Sequence, residues 1–508
     1  MLAFAAAILF SSAAHAVEGP AVVAPTIPKF DAAAWQKDYA YLKQQLQAQY
    51  ANLAWFASTQ GGIDLPQVDR LTIEAMQHAR TDAQALAALR YFIAAFHDGH
   101  LVLNPAIASG SIKVAEPPVA ALDNMDASAA CAAIGVVATS NVAFSLPIES
   151  LDSFTLAADG MAQAFRSGLV STTAGTRISI VRIPRFREGE YPDLCQRAFA
   201  KLKVDKTPIT TKALNKAMSE AWFPVLAGRL KYLKEHGANA LIVDVGGNGG
   251  GNDMGDWSVR LFTQKPVHSP RLLVAAGPLA DGYYDEQLTE LRDAVGKAEA
   301  HANLAPVVRE SIAQFEAYKA ALATRACDLS WVWHEQRTWD PAGCSRLAPA
   351  GFASGARDYM LPVATADADF VASAYWPVVA DKYRGAWNGA VYVLTDQRVG
   401  SAAEAFVASM RDNGIARIVG TATAGSGCGN MQEARLIILP HSRLSVHAPD
   451  CVRLRAYGSD EVMGIAPDLP VLAMQGESAR ARAERLIREV EVDLSRNRSA
   501  SSSTNVPP

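Results

Sequence analysis

Apolar positions along the chain follow two periods, and the switches between them outline its elements. Trp35, Tyr39, Leu42, Leu46 and Tyr50 recur every three or four residues, which predicts a helix over 31–51 with Asp31 as its N-cap. Helices are also expected over 65–79 and 82–96, the latter with Leu86, Leu89, Ile93 and Phe96 on one face. Gly99 in His97-Asp98-Gly99-His100 breaks that pattern before a short strand at 101–103. From Arg177 the pattern sharpens: a strand at 178–183, a helix at 217–236, a continuous apolar strand at 240–245, and a helix through 257–262. A second set follows, with a strand at 390–394, a helix at 402–412, a strand at 418–420 and a hairpin over 434–447 about Pro440-His441. An amphipathic helix at 477–492 and a disordered tail from 499 to 508 close the chain. Strands alternating with helices imply a parallel or mixed sheet with crossover helices, hence an α/β (α+β mixed) fold behind an N-terminal helical subdomain.

Composition adds boundaries. The 508 residues are 50% hydrophobic and 19% charged, which excludes global disorder. A net charge of −4 argues against a nucleic-acid surface or an electrostatic membrane anchor. The apolar run 2–10, followed by small residues at Ala14 and Ala16, reads as a signal peptide over 1–16 with cleavage before Val17. An exported protein, periplasmic in a bacterium or secreted, is therefore expected, with no membrane span after signal removal. The remaining divisions are an N-terminal helical subdomain at 17–104, an Ala-, Ser- and Pro-rich intermediate module at 105–175, a core at 176–475 interrupted by an insertion at 282–385, and a C-terminal helix and tail at 476–508.

Six cysteines and no Cys-x-x-Cys pair favour disulfides over zinc or thioredoxin-like chemistry. Six allow fifteen connectivities. Cys428 and Cys451 lie nearly equidistant from the expected hairpin turn, so they should face each other. Cys327 and Cys344 flank one local loop, and Cys131 with Cys195 is left by elimination.

Three segments could carry chemistry. The strand ending at Asp244-Val245 delivers the turn Gly246-Gly247-Asn248-Gly249-Gly250-Gly251 to the carboxyl end of the sheet, where α/β folds bind ligands. Glycine N–H groups there can point at an anion or a developing oxyanion. A dinucleotide site is the rival reading, but the acidic residue it needs at the usual offset is missing. Second, Ser401 opens a helix after a strand and a turn. Ser401 with Glu404 is a capping box on one reading; on the other, the same helix start suits a nucleophile. Third, His97 and His100 straddle a glycine, which does not match a helical metal pair, so neither a metal nor an organic cofactor is expected.

Taken in order, these segments resemble the S41 peptidases, the family of tail-specific and tricorn-like serine proteases. The turn after Asp244 is similar to the family's Asp-Leu-Arg-x-Asn-x-Gly-Gly turn, Ser401-Ala-Ala-Glu404 to its Ser-x-[Ser/Ala]-Glu block, Ile465-Ala-Pro-Asp468 to its Gly-[Ile/Val]-x-Pro-Asp strand, and Asp98-Gly-His100 to its Asp-x-His. The likeness spans roughly residues 30–475 and implies a crotonase-like protease core with Ser401 as nucleophile. The tail-specific branch takes a lysine base from a Gly-Lys-Gly turn. That turn is Gly425-Ser426-Gly427 here, and no lysine follows Lys382. The resemblance therefore implies the histidine branch, with His100 as base and a late acid as its orienter: Glu461, seven positions before Asp468, or else Asp460. His441 and His447 remain open as alternatives. Glycine stands at 246 where the family has arginine, and no PDZ module is evident at 105–175. The expected activity is peptide-bond hydrolysis through a Ser401 acyl-enzyme, the oxyanion held by N–H groups of Gly249, Gly250 and Ala402. The partner would be a peptide or protein substrate. A catalytically inactive peptide- or ligand-binding protein on the same scaffold is the alternative.

Overall fold

The structure is a computed structural model that describes residues 30–105, 122–136, 142–296, 301, 303–325, 327–362, 367–431 and 436–503. The expected signal peptide lies outside the described residues. Thirteen strands are described: β1 Val102–Asn104, β2 Phe154–Ala158, β3 Ser167–Ser171, β4 Arg177–Arg182, β5 Ala240–Asp244, β6 Arg271–Ala275, β7 Leu347–Phe352, β8 Ala390–Thr395, β9 Arg417–Gly420, β10 Leu436–Ile438, β11 Ser445–His447, β12 Cys451–Leu454 and β13 Leu469–Pro470. Seven form the central sheet in the order β13-β9-β8-β5-β4-β3-β2. From β13 to β4 neighbours are parallel, while β3 and β2 add antiparallel at one end.

The unbroken apolar run of β5 follows from covering both faces of the sheet. Leu241 and Val243 pack with Trp222, Phe223 and Phe406, from the helices Thr211–Glu235 and Ala402–Asp412. Ala240 and Ile242 face the opposite way, onto Leu486, Ile487 and Val490 of the terminal helix Ala479–Ser503. Side chains alternating across the strand thus serve two cores at once.

Two three-stranded sheets flank this core, in the orders β1-β11-β10 and β12-β6-β7. The first packs through Ile437 and Val446 on the N-terminal helices Ala32–Gln49, Leu65–His78 and Asp82–Ala94, joining residues from both ends of the chain in one hydrophobic cluster. In the insertion, the helices Pro278–Val295 and Ala305–Ala320 pack together over β6 and β7. The cysteines are joined as Cys131–Cys195, Cys327–Cys344 and Cys428–Cys451.

Several expectations need correction. The segment expected as an intermediate module supplies β2 and β3 to the central sheet, and its helix Ala127–Ala133 is tied by Cys131–Cys195 to the helix Pro192–Val204. The strand signal is weak there because β2 forms the sheet edge, with Thr155 and Leu156 exposed. In the late hairpin Leu436 pairs with His447 and Ile438 with Ser445, which centres the turn between residues 441 and 442. Cys428 and Cys451 are therefore not equidistant from it. Their bridge arises because β12 leaves that hairpin to pair with β6, while the Asp450 N–H donates to the Gly429 carbonyl beside the bridge. The terminal helix runs to Ser503, into the segment expected as a disordered tail. No described helix is long and apolar enough to cross a membrane.

Candidate active site

The carboxyl ends of β5 and β8 lie side by side, with Asp244 paired to Leu394. After β5, the buried Asp244 carboxylate accepts from the Gly246 N–H, the Ser145 hydroxyl and the Arg182 guanidinium. Asn248 then locks the glycine turn: its Nδ2 donates to the Ile183 carbonyl, its Oδ1 accepts from the Gly250 N–H, and its carbonyl accepts from the Gly400 N–H. The Asp and Asn of this turn thus fix backbone, and the turn is stitched to the loop that follows β8.

That loop ends at Ser401, with φ +55° and ψ −125°. A side chain bearing a Cβ is strained at positive φ, and a sharp strand-to-helix turn of this kind lifts a nucleophile out of the sheet. The Ser401 side chain makes no cap hydrogen bond to its helix, so the capping-box reading does not describe it. Gly250 backs directly onto the elbow: a Cβ there would lie 2.6 Å from the Ser401 Cβ and 3.0 Å from the Ala402 nitrogen.

Ser401 and His100 line one cavity of about 490 Å³, together with Gly251, Ala402, Cys428, Gly429 and Arg453. Tyr283, Gln287, Ala353 and Trp376 from the insertion form an outer wall. His100 leaves the N-terminal subdomain just ahead of β1. Its Nδ1 lies 2.7 Å from the Ser426 carbonyl, which can only accept, so Nδ1 carries the proton and Nε2 has a free lone pair. Among the described residues no hydrogen bond joins His100 to Ser401; catalytic contacts of this kind commonly tighten only on substrate binding. The His100 backbone is held on both sides, its N–H donating to Asp98 Oδ1 and its carbonyl accepting from His447 Nδ1–H at 2.6 Å. Asp98 Oδ2 in turn accepts from the Tyr50 hydroxyl and Asn52 Nδ2, and burial pushes its carboxyl up. His97 is exposed at φ +52°, beyond the helix end at Ala94. His441 packs edge-on against Trp35 on the first helix.

The late acids lie differently from the expected triad. Glu461 is fully buried and accepts from Arg453 Nη1 at 2.7 Å; it makes no hydrogen bond to His100 among the described residues. Burial pushes its carboxyl up to about 7, against the pull of Arg453. Asp460 is also buried and takes the Val462 N–H, its carboxyl raised by burial and by the neighbouring Asp98. The Nδ1 partner of His100 is thus a backbone carbonyl, where the sequence suggested a carboxylate.

The expected oxyanion donors divide likewise. The Gly250 N–H is held by Asn248. Ala402 lines the cavity, as does Gly251, which the sequence reading passed over; Gly249 is not among the lining residues. Neither the Gly251 nor the Ala402 N–H makes a hydrogen bond among the described residues, so both are available to a ligand oxygen. Glu404 was also underread. Its carboxylate turns inward and accepts from the Thr423 hydroxyl, and from the N–H groups of Gly425, Ser426 and Gly427 at 2.6, 2.7 and 3.0 Å. Its place in the Ser-x-x-Glu block was the available signal. No group of three or more metal-ligating side chains occurs among the described residues.

A nucleophile elbow at the carboxyl edge of a mixed sheet, with an imidazole and free N–H groups around one cavity, defines a serine-type hydrolase. Residues 349–471, about a quarter of the chain, match the model of peptidase family S41, which supports a serine-type peptidase. Among solved structures, mature CPAF complexed with lactacystin aligns over 91% of this chain and 99% of its own at 14% identity and TM-score 0.54. Mature CPAF alone aligns over 91% and 98% at 14% identity and TM-score 0.53. At this identity the likeness establishes the shared fold. A search of the curated proteins finds no match.

Proposed function

We propose that the chain is an exported endopeptidase that cleaves through a Ser401 acyl-enzyme with His100 as general base. The observation that carries this reading is the shared cavity, lined by a serine strained at positive φ and by a histidine whose Nδ1 is already committed to a carbonyl. His100 Nε2 takes the Ser401 proton as Oγ attacks the scissile carbonyl, and the resulting imidazolium returns it to the leaving amine. Water then attacks the ester by the same route in reverse. The Gly251 and Ala402 N–H groups receive the oxyanion, and the helix start at Ala402 favours negative charge there. Arg453, held by Glu461 and lying 3.5 Å from the Ser401 carbonyl, supports the elbow from below. Three disulfides support export, since such bonds persist in oxidising compartments.

The test is turnover of quenched peptide substrates by the mature chain, Ser401→Ala and His100→Ala. Activity in the mature chain that both variants lose supports the mechanism. Full turnover by Ser401→Ala contradicts it, and an inert mature chain that co-purifies with a small ligand would favour a binding protein.

A further inference from the structure

The Gly425-Ser426-Gly427 turn has no side chain that could serve as base, yet the structure surrounds it with hydrogen bonds. Glu404 is fully buried one helical turn after Ser401, and both its oxygens are occupied by the 423–427 loop. Four donors on one carboxylate far exceed what anchoring a helix start needs, and none of them belongs to the helix that carries Glu404. The key donor is the Gly427 N–H, 3.0 Å from Glu404 Oε2. That N–H belongs to the same planar trans peptide as the Ser426 carbonyl, so the two point in opposite directions. Drawing the N–H toward Glu404 therefore turns the Ser426 carbonyl outward, where it accepts the Nδ1–H of His100 at 2.7 Å. Gly425 and Gly427 both sit at positive φ, and a Cβ at either would press on the 462–464 segment, so the turn is built to lie flat on the carboxylate.

We infer that Glu404 is the positioning residue for the catalytic base: it fixes the Ser426–Gly427 peptide plane, and through that carbonyl the tautomer and ring orientation of His100. The inference rests on His100 being the base. Nucleophile and base are thereby gauged from one helix, since Ser401 precedes its first residue and Glu404 lies in its first turn. An orienting acid for the imidazole is then present after all, acting through one peptide unit.

Glu404→Gln tests this with a fluorophosphonate probe that reports two quantities, the labelling rate constant and the number of sites labelled at completion. The amide presents N–H groups to backbone N–H donors, which frees the peptide plane. The expected result is a rate constant and a kcat about 10- to 100-fold lower, the cost of a misplaced catalytic group, with KM within about twofold and full site occupancy at completion. A merely structural role would lower the number of labelled sites and leave the rate constant of the remainder unchanged, and that result overturns the inference. Thr423→Val, which removes one donor to Oε1, is the milder companion should Glu404→Gln fold poorly. It should slow labelling roughly 2- to 10-fold, the worth of one hydrogen bond, at full occupancy; an unchanged rate, or fewer sites at an unchanged rate, overturns the inference. Ser401→Ala separates the two levels. Labelling of Ser401→Ala at the wild-type rate refutes the proposed mechanism itself, whereas an inert Ser401→Ala beside an unaffected Glu404→Gln refutes only the role of Glu404.

Discussion

The two halves of the site are built on opposite principles. Ser401 stands mostly on local structure: β8, a six-residue turn that ends in Ser401 and a helix follow one another directly, and the strained backbone is braced by the glycine turn after the neighbouring β5. His100 stands on contacts made across the chain. It belongs to the N-terminal subdomain, and its Nδ1 partner is 326 residues away. Its flanking contacts come from β11 and from an Asp98–Tyr50–Asn52 cluster. The proposed nucleophile is thus placed by a dozen consecutive residues and one bracing turn, whereas the proposed base is placed by how several separate pieces of chain dock. Damage to packing at a distance should reach the base half first.

The largest effect expected is from the proposed base. His100→Ala should lower kcat/KM by about 10²–10⁴-fold, the usual contribution of a general base, while His447→Ala, which removes hydrogen bonds to the His100 carbonyl and to Asn430 Nδ2, should cost far less. Peptide turnover by the two variants checks this, and wild-type turnover in His100→Ala beside its loss in His447→Ala would move the base assignment to His447. Paired glycine substitutions probe the two halves next. Gly250→Ala places a Cβ against Ser401 from a backbone at φ +109°, and Gly429→Ala places one 3.2 Å from His100 Nε2. Each should cut kcat by roughly 10²-fold through misplacement of the group it touches, Gly250→Ala with the greater loss of thermal stability because its backbone is also strained. Measuring kcat and Tm of both variants tests the contrast.

A smaller effect is expected from the bridge beside the base. Cys428 lines the cavity next to the loop that holds His100, so Cys428→Ser with Cys451→Ser should cost about 2–4 kcal/mol of stability and slow turnover as the loop loosens. Denaturant melts and turnover of the double variant measure both, and lost stability with full activity would place the loop's stiffness elsewhere. The smallest is a pH effect on the nucleophile side. The Glu461 carboxyl is raised to about 7 in the folded chain, so the protonated form is favoured by folding. Its contribution to stability is present below the ordinary glutamate range near pH 4.5 and is lost as pH rises through about 7. Glu461→Gln should flatten Tm across that window; a Tm profile unchanged from wild type would show that Glu461 does not titrate there.

The same contrast explains what could be read from the sequence. The strands at β4, β5, β8 and β9 and the helix after Ser401 were legible because apolar runs buried on both faces leave a strong local pattern. β2 was not, since an edge strand with an exposed face has little hydrophobic signal, and neither was β3, which is buried but short and opens on Ser167-Gly168. Ser401 was legible as the residue at a strand–turn–helix junction. His100 emerged only from an ordered set of motifs, and its orientation by a backbone carbonyl was beyond any pattern of side chains. Glu404 illustrates the limit: a Glu three residues after a Ser reads as a cap, and only the docking of a loop some twenty residues downstream gives it four other donors. Glu461 fails in the opposite way, for an acid at a fitting spacing was expected beside the histidine, yet the nearby Arg453 claims it.

The central claim, that the serine at the β8–turn–helix junction does the chemistry, is tested most directly by mapping a fluorophosphonate adduct on the protein by mass spectrometry. Trypsin releases the elbow as the peptide of residues 399–411, bounded by Arg398 and Arg411. The account predicts one phosphonyl group per chain, located on Ser401 within that peptide, formed rapidly in the wild type and much more slowly in His100→Ala. A stoichiometric adduct on any other residue, or an unmodified Ser401 in a preparation that cleaves peptides, would contradict it.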